Sequence, residues 1–155
     1  MRKPLVLAIE DERWRQERIA KAVGERARVV YLEQGEQVLT FLARTTPHVV
    51  LLDHDLAGSG GPTYRSGTHI AEWLASHSRL AADIHTVIVT THNDVERRYL
   101  VETLRVAGYA VVSVPCGELL PAHLATILDE LAGQSQSQPA GLSGGESARR
   151  RTEAR

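Results

Sequence analysis

Short apolar runs alternate with segments of helical periodicity along most of the chain. The apolar runs predict five strands, and most lack the polar alternation of a sheet with one exposed face. These strands are predicted at residues 5–9, 28–32, 49–52, 87–90 and 110–114. Helices are predicted between them, at residues 15–23, 36–43, 68–77, 94–107 and 121–132. This alternation is typical of βαβ units, so we expect an α/β fold with a parallel sheet that helices cover on both faces.

The fourth predicted helix has the clearest ends. Asn93 fits the N-cap position, and Glu96 follows three residues later, as in a capping box. Gly108 follows the helix and tolerates the left-handed conformation that closes many helices. The last helix has the clearest apolar stripe, formed by Leu120, Leu124, Ile127, Leu128 and Leu131.

Composition indicates one globular domain with a polar tail. The 155 residues are 43% hydrophobic, which suits a single domain over residues 1–132. From residue 133 to 155 the chain is rich in Gly, Ser, Gln and Arg, which predicts a disordered tail. The net charge of -1 gives no nucleic-acid footprint, and no apolar run is long enough for a membrane span. The N-terminus has no secretory signal pattern either, so we expect a soluble cytoplasmic protein. Cys116 is the single cysteine, which excludes an intrachain disulfide.

Two acidic clusters follow predicted strands. Glu10 and Asp11 close the first strand, and Asp53 closes the third. Ligands of parallel sheets bind beyond the carboxyl ends of the strands, so these acids converge if the two strands are neighbours. Their repulsion then requires a cation or protons, and Mg²⁺ or another hard divalent cation is the natural solution, which favours phosphoryl chemistry. The alternative is that some of these acids are solvated loop residues.

Over roughly residues 4–132 the order of elements and these motifs resemble the receiver domain of two-component response regulators. The resemblance implies a doubly wound, five-stranded parallel sheet of flavodoxin type with strand order 2-1-3-4-5. It also implies that Glu10, Asp11 and Asp53 bind Mg²⁺ together with the backbone carbonyl of Asp55. In that family the aspartate at the position of Asp53 accepts a phosphoryl group.

Two further receiver positions lie near the ends of the fourth and fifth strands. A hydroxyl residue contacts the phosphoryl group in the family, and Thr90 or Thr91 stands there, with Thr90 favoured by register. A lysine precedes the proline after strand five in the family, but here Val114 precedes Pro115. The chain therefore lacks the cation that would pair with a phosphorylated Asp53, which argues against ordinary phosphorelay switching.

A narrower resemblance is to the receiver-derived family proposed to process cyclic phosphates. It rests on Glu10-Asp11-Glu12-Arg13, Leu52-Asp53-His54-Asp55-Leu56, Ser66-Gly67 leading to Trp73-Leu74, and Thr91-His92-Asn93. The last element departs from the family pattern, because Thr90 stands in place of His and Thr91 in place of Ser, while Asn93 matches. His92 is then the candidate replacement for the imidazole. The resemblance implies opening of a cyclic phosphodiester, such as the 2′,3′-cyclic end of a nucleotide or RNA.

The chemistry expected at this site leaves two alternatives open. A water molecule attacks the phosphorus and His54 or His92 protonates the leaving ribose oxygen, or Asp53 attacks and forms an acyl phosphate. Arg13 and Arg65 are candidates for binding the anionic substrate. The resemblance to the cyclic-phosphate family also implies that Arg13 and Asn93 contact the substrate.

Two function classes remain. One is a metal-dependent phosphoesterase; the other is a stand-alone receiver or pseudo-receiver that acts through Asp53 phosphorylation or partner binding. The second would involve a histidine kinase or another protein partner, and the resemblance to receivers also allows a homodimer. Trp14 and Trp73 have helical neighbours and are predicted to pack rather than to stack on bases.

Overall fold

A single parallel sheet runs through the described part of the chain, which comprises residues 2–53, 66–114 and 120–136 of this computed structural model. Its strand order is β2-β1-β3-β4-β5, with every neighbouring pair parallel. The strands are β1 (Leu5–Ile9), β2 (Arg28–Leu32), β3 (Val49–Leu52), β4 (Thr86–Val89) and β5 (Val111–Ser113). The expected α/β class and the strand order are therefore confirmed.

Helices cover both faces of the sheet. The helices are α1 (Arg13–Val23), α2 (Gly35–Leu42), α3 (Gly67–Ser76), α4 (Asp94–Val106) and α5 (Leu120–Gln136). Alternate residues of β1 point to opposite faces: Val6 and Ala8 share a core with residues of α1 and α5, and Leu7 and Ile9 share one with residues of α2, α3 and α4. The three central strands are buried throughout, which explains why their sequences lack polar alternation.

Several element boundaries differ from the predicted ones. The first three strands match at both ends, whereas β4 lies one residue earlier and β5 is shorter by one residue at each end. A 3₁₀ helix at Ser78–Ala82 was not predicted. Helix α5 continues to Gln136, four residues past its predicted end at residue 132. Residues 137–155, for which disorder is predicted, lie outside the described residues.

The predicted start of α4 is confirmed, and the helix ends one residue earlier than predicted, at Val106. The Oδ1 atom of Asn93 accepts hydrogen bonds from the backbone N–H groups of Val95 at 3.0 Å and Glu96 at 3.2 Å. Gly108 follows the helix with a φ of 95°, which favours glycine. This N-cap fixes the short segment that leads from β4 into α4.

Strand register brings three chain segments to one edge of the sheet. Ile9 pairs with Leu52, and Leu52 pairs with Val89. The residues that follow, Glu10, Asp53 and Thr90, therefore leave three adjacent strands at the same level. Within the described ranges, no helix has the length and apolar character needed to cross a membrane.

Candidate metal centre

Three carboxylates meet at the carboxyl edge of the sheet. Glu10 is 3% exposed and Asp53 is 4% exposed, while Asp11 is half-buried. One oxygen from each of the three lies within 4.8 Å of the others. The expected convergence follows from the adjacency of β1 and β3, and the oxygen donors suit a hard divalent cation.

Glu10 lies deepest in this acidic trio. Its Oε1 accepts a hydrogen bond from the backbone N–H of Glu12 at 3.0 Å, and its Oε2 lies 3.4 Å from Nη1 of Arg15. Burial raises the pKa of Glu10 from 4.5 to about 7, because desolvation outweighs the Glu12 N–H and the Arg15 charge, and Asp53 raises it further. Protons thus relieve part of the repulsion that the sequence predicted.

Arg15 supplies the other part of the compensation. Its Nη1 lies 3.0 Å from Oδ2 of Asp53, and its Nε lies 3.6 Å from Oε2 of Glu12. Burial lowers the pKa of Arg15, but the charges of Glu10, Asp53 and Glu12 outweigh it and raise the pKa overall. No sequence motif pointed to this residue, although Arg15 stands only five positions after Glu10.

Arg13 does not contact the trio. Its side chain is 91% exposed and pairs with Glu17 at 3.5 Å, one helical turn further along α1. Residues two apart on a helix point about 200° apart, so Arg13 and Arg15 face opposite sides of α1. A role of Arg13 in substrate binding stays a prediction.

The segment after β4 places two threonines differently. Thr90 is 9% exposed, and its backbone N–H donates to the carbonyl oxygen of Leu52 at 3.0 Å. Thr91 is 1% exposed, and its Oγ1 accepts a hydrogen bond from the Asn93 N–H at 3.4 Å. Thr90 lines a small cavity beside Glu10, so its hydroxyl is the better placed of the two for a substrate.

The small cavity beside Glu10 is lined by side chains from several elements of the fold. It is lined by Glu10, Trp14, Arg15, Arg18, Thr90, His92 and Leu120. Its volume of about 20 Å³ leaves room for one water molecule. His92 is among these lining residues, and its role as a proton donor stays a prediction.

The two tryptophans differ. Trp73 packs against the core and stacks on His77 at 3.8 Å between ring centroids, as packing predicts. Trp14 is 50% exposed at the rim of the cavity, contrary to the prediction. The guanidinium carbons of Arg15 and Arg18 lie 5.2 and 6.0 Å from its ring centroid. Trp14 therefore makes cation–π contacts with two arginines and does not pack in the core.

Several predicted site residues lie outside the described residues. His54, Asp55 and Arg65 fall within residues 54–65. Asn93 is described, and its side-chain oxygen caps α4.

The sheet order and the acidic trio after β1 and β3 define a receiver-type domain. Within this class the chain belongs to the cyclic-phosphate processing receiver domain family, whose model matches residues 5–106. Comparison with curated protein sequences gives no match.

Solved structures of receiver domains have a fold similar to that of this chain. The receiver domain of a signal transduction histidine kinase from Syntrophus aciditrophicus is 20% identical with a TM-score of 0.58, and the match covers 90% of this chain and 98% of that one. The non-phosphorylated receiver domain of the stress response regulator RcsB from Escherichia coli is 18% identical with a TM-score of 0.60, covering 85% and 95%. The Mn²⁺-bound response regulator Rcp1 is 14% identical with a TM-score of 0.58, covering 88% and 97%. These likenesses show the fold.

Proposed function

We propose that this receiver domain is a Mg²⁺-dependent phosphoesterase that opens a cyclic phosphodiester, such as the 2′,3′-cyclic end of a nucleotide or RNA. The observation that carries the proposal is the approach of the Glu10, Asp11 and Asp53 carboxylates to within 4.8 Å at the ends of β1 and β3. Membership of the cyclic-phosphate processing receiver family supports the choice of substrate class.

The trio suits Mg²⁺ chemically. If all three carboxylates are ionised, they exceed the positive charge of Arg15 by two units, which is the charge of one divalent ion. The Mn²⁺ in the structure of Rcp1, which has a similar fold, supports a divalent cation here. Bound Mg²⁺ would polarise a phosphoryl oxygen and offset its growing negative charge. Asp11 and Asp53 are the proposed direct ligands, with Glu10 acting through a water molecule and the Asp55 carbonyl as a further ligand.

The remaining groups supply proton transfer and substrate contacts. A water molecule attacks the phosphorus and releases one proton to solvent, the bond from phosphorus to one ribose oxygen breaks, and His92 or His54 protonates the oxygen that leaves. The product is an ordinary phosphomonoester. Thr90 or Thr91 would donate a hydrogen bond to a phosphoryl oxygen, and His92 and Thr90 lie together beside Glu10.

Two arginines and one amide complete the proposed set. Arg13 and Arg65 are the proposed contacts to the substrate anion. Asn93 accepts backbone hydrogen bonds through its Oδ1, so its amide nitrogen would be the group that contacts the substrate.

A second candidate is a cytoplasmic signalling receiver that a histidine kinase phosphorylates on Asp53 or that acts by binding a protein partner. The likeness in fold to the receiver domains of a histidine kinase and of RcsB favours it. Against it, Val114 is 1% exposed in the core at the position where receivers carry a lysine. A homodimer stays a prediction under either function.

Phosphorus NMR separates the two candidates. The purified protein with Mg²⁺ receives a 2′,3′-cyclic nucleotide in one sample and acetyl phosphate in another, with Asp53→Asn as the blank. The phosphoesterase converts the cyclic signal into a phosphomonoester signal, and the signalling receiver gives a protein-bound acyl phosphate without ring opening. Silence in both samples contradicts the phosphoesterase and the phosphorylated receiver, and it favours a receiver that acts by binding a protein partner.

A further inference from the structure

We propose that Arg15 is an internal counter-cation of the acidic trio. Without a divalent ion its guanidinium bridges Glu10 and Asp53; when the ion binds, the guanidinium turns to a phosphoryl oxygen of the substrate. The inference rests on the Mg²⁺ site of the proposed function, and it adds a residue that the family resemblance did not supply.

The first argument is competition for one carboxylate. Nη1 of Arg15 lies 3.0 Å from Oδ2 of Asp53 and 3.4 Å from Oε2 of Glu10. A divalent ion held by Asp53 would lie within a few ångströms of this guanidinium, and the two positive charges would repel each other. The side chain is 15% exposed, so solvent screens this repulsion only in part. Binding of the ion therefore favours departure of the guanidinium.

The second argument is space. The cavity that Arg15 lines beside Glu10 and Thr90 has a volume of about 20 Å³, which is room for one water molecule and too little for a phosphoryl group. Displacement of the guanidinium enlarges this cavity. It also presents the planar fork of an arginine to the anion that enters, and such forks bind phosphate with two hydrogen bonds.

The third argument is the incomplete bonding of the guanidinium. Nε of Arg15 is buried and donates no hydrogen bond within the described part of the chain, although it lies 3.6 Å from Oε2 of Glu12 in an ion pair. The guanidinium carbon lies 5.2 Å from the ring centroid of the half-exposed Trp14, which supports a cation at the mouth of the cavity. An arginine placed solely to fasten α1 to β3 would be expected to satisfy this donor.

Calorimetry of Mg²⁺ binding tests the counter-cation. Arg15→Met removes the charge but keeps the length, and we expect it to bind Mg²⁺ about tenfold more tightly than the parent, because no cation has to leave. Arg15→Lys keeps a charge and should stay within about threefold of the parent. The control is Arg26→Met, which makes the same chemical change away from the acidic trio. Arg26 is exposed and precedes the amino end of β2, whereas the trio follows the carboxyl ends of β1 and β3. Equal or weaker Mg²⁺ binding by Arg15→Met overturns the proposal.

Thermal melting gives an independent readout of the same exchange. In EDTA, Arg15→Met should melt below the parent because the trio has lost its cation; in saturating Mg²⁺ the difference should close or reverse. An arginine that merely fastens α1 to β3 predicts an equal loss under both conditions, and that result counts against the exchange.

Inorganic phosphate tests the second position of the guanidinium. Titrated into Mg²⁺-saturated protein, phosphate should bind about tenfold more weakly to Arg15→Met and to Arg15→Lys, because neither retains the fork. Unchanged phosphate affinity in Arg15→Lys contradicts this part, and Arg15→Lys tests it even if Arg15→Met does not fold. Both binding measurements are independent of turnover. If the parent protein does not open a cyclic phosphate, the proposed function alone is refuted. If the parent opens the cyclic phosphate but Arg15→Met binds Mg²⁺ with the affinity of the parent, this inference alone is refuted.

Discussion

The buried carboxyl of Glu10 should make the stability of the metal-free protein depend on pH. Burial raises the pKa of Glu10 from 4.5 to about 7, and the side chain is 4% exposed, so little solvent screening reduces the effect. Glu10→Gln keeps the size of the side chain and an oxygen that can accept the Glu12 N–H, but it cannot ionise. The substitution therefore isolates the cost of the buried charge.

The sign follows from proton linkage. The folded protein holds the proton of Glu10 more tightly than the unfolded chain does, so its contribution to stability is fully present below about pH 4.5 and is lost as the pH rises through about 7. The difference between those two pKa values corresponds to about 3 kcal/mol in the free energy of unfolding. We expect Glu10→Gln to gain about that much relative to the parent between acidic and mildly alkaline pH.

The assay is urea unfolding in EDTA from pH 5 to pH 8, followed by tryptophan fluorescence. Glu25→Gln makes the same chemical change at an exposed position after α1, and its stability should run parallel to that of the parent. If the stability of Glu10→Gln also runs parallel to the parent across this range, burial does not raise the pKa of Glu10 and the reasoning fails. Saturating Mg²⁺ should flatten the pH dependence of the parent, because the ion favours the ionised carboxylate.

Three further substitutions test the site and its support. Asp53→Asn should weaken Mg²⁺ binding in calorimetry by about tenfold or more, and unchanged affinity would remove Asp53 from the metal centre. Asn93→Ala should lower the free energy of unfolding by about 1 kcal/mol through loss of the α4 cap, whereas Asn93→Asp should retain it; equal losses in urea would argue against the cap. Tyr109→Phe should cost about 1 kcal/mol in the same assay, because its hydroxyl donates to the carbonyl oxygens of Leu74 at 2.8 Å and His77 at 2.9 Å, and an unchanged midpoint would contradict this.

The fold could be predicted where local pattern and burial agree. The apolar runs that form β1, β2 and β3 end at charged or loop residues, and their predicted bounds are correct. Strand β4 was placed one residue late, and polarity does not explain the shift, because threonines stand at both ends: Thr90 lies beyond the strand, and Thr86 is 5% exposed inside the sheet. Pairing with Val49 puts it there, and such pairing is a tertiary effect that sequence periodicity does not contain.

The sequence predicted the carboxylates of the site but not its cation. Carboxylates that follow adjacent strands must converge, so Glu10, Asp11 and Asp53 could be identified from their positions. The cation could not, because the choice between Arg13 and Arg15 depends on where α1 begins. The helix was predicted to start at residue 15 but begins at Arg13, after the extended backbone of Glu12. That offset decides which side chain faces the trio.

The origin of this cation bears on the choice between catalysis and switching. In the receivers that the chain resembles, a lysine after strand five pairs with the phosphorylated aspartate. This ion pair links the charge on the aspartate to that strand. Here Val114 lies in the core at that position, and the guanidinium on Asp53 comes from Arg15 of α1. A charge that enters from α1 gives β5 no direct electrostatic link to Asp53. A receiver that signals through β5 would need such a link, whereas the proposed phosphoesterase would not.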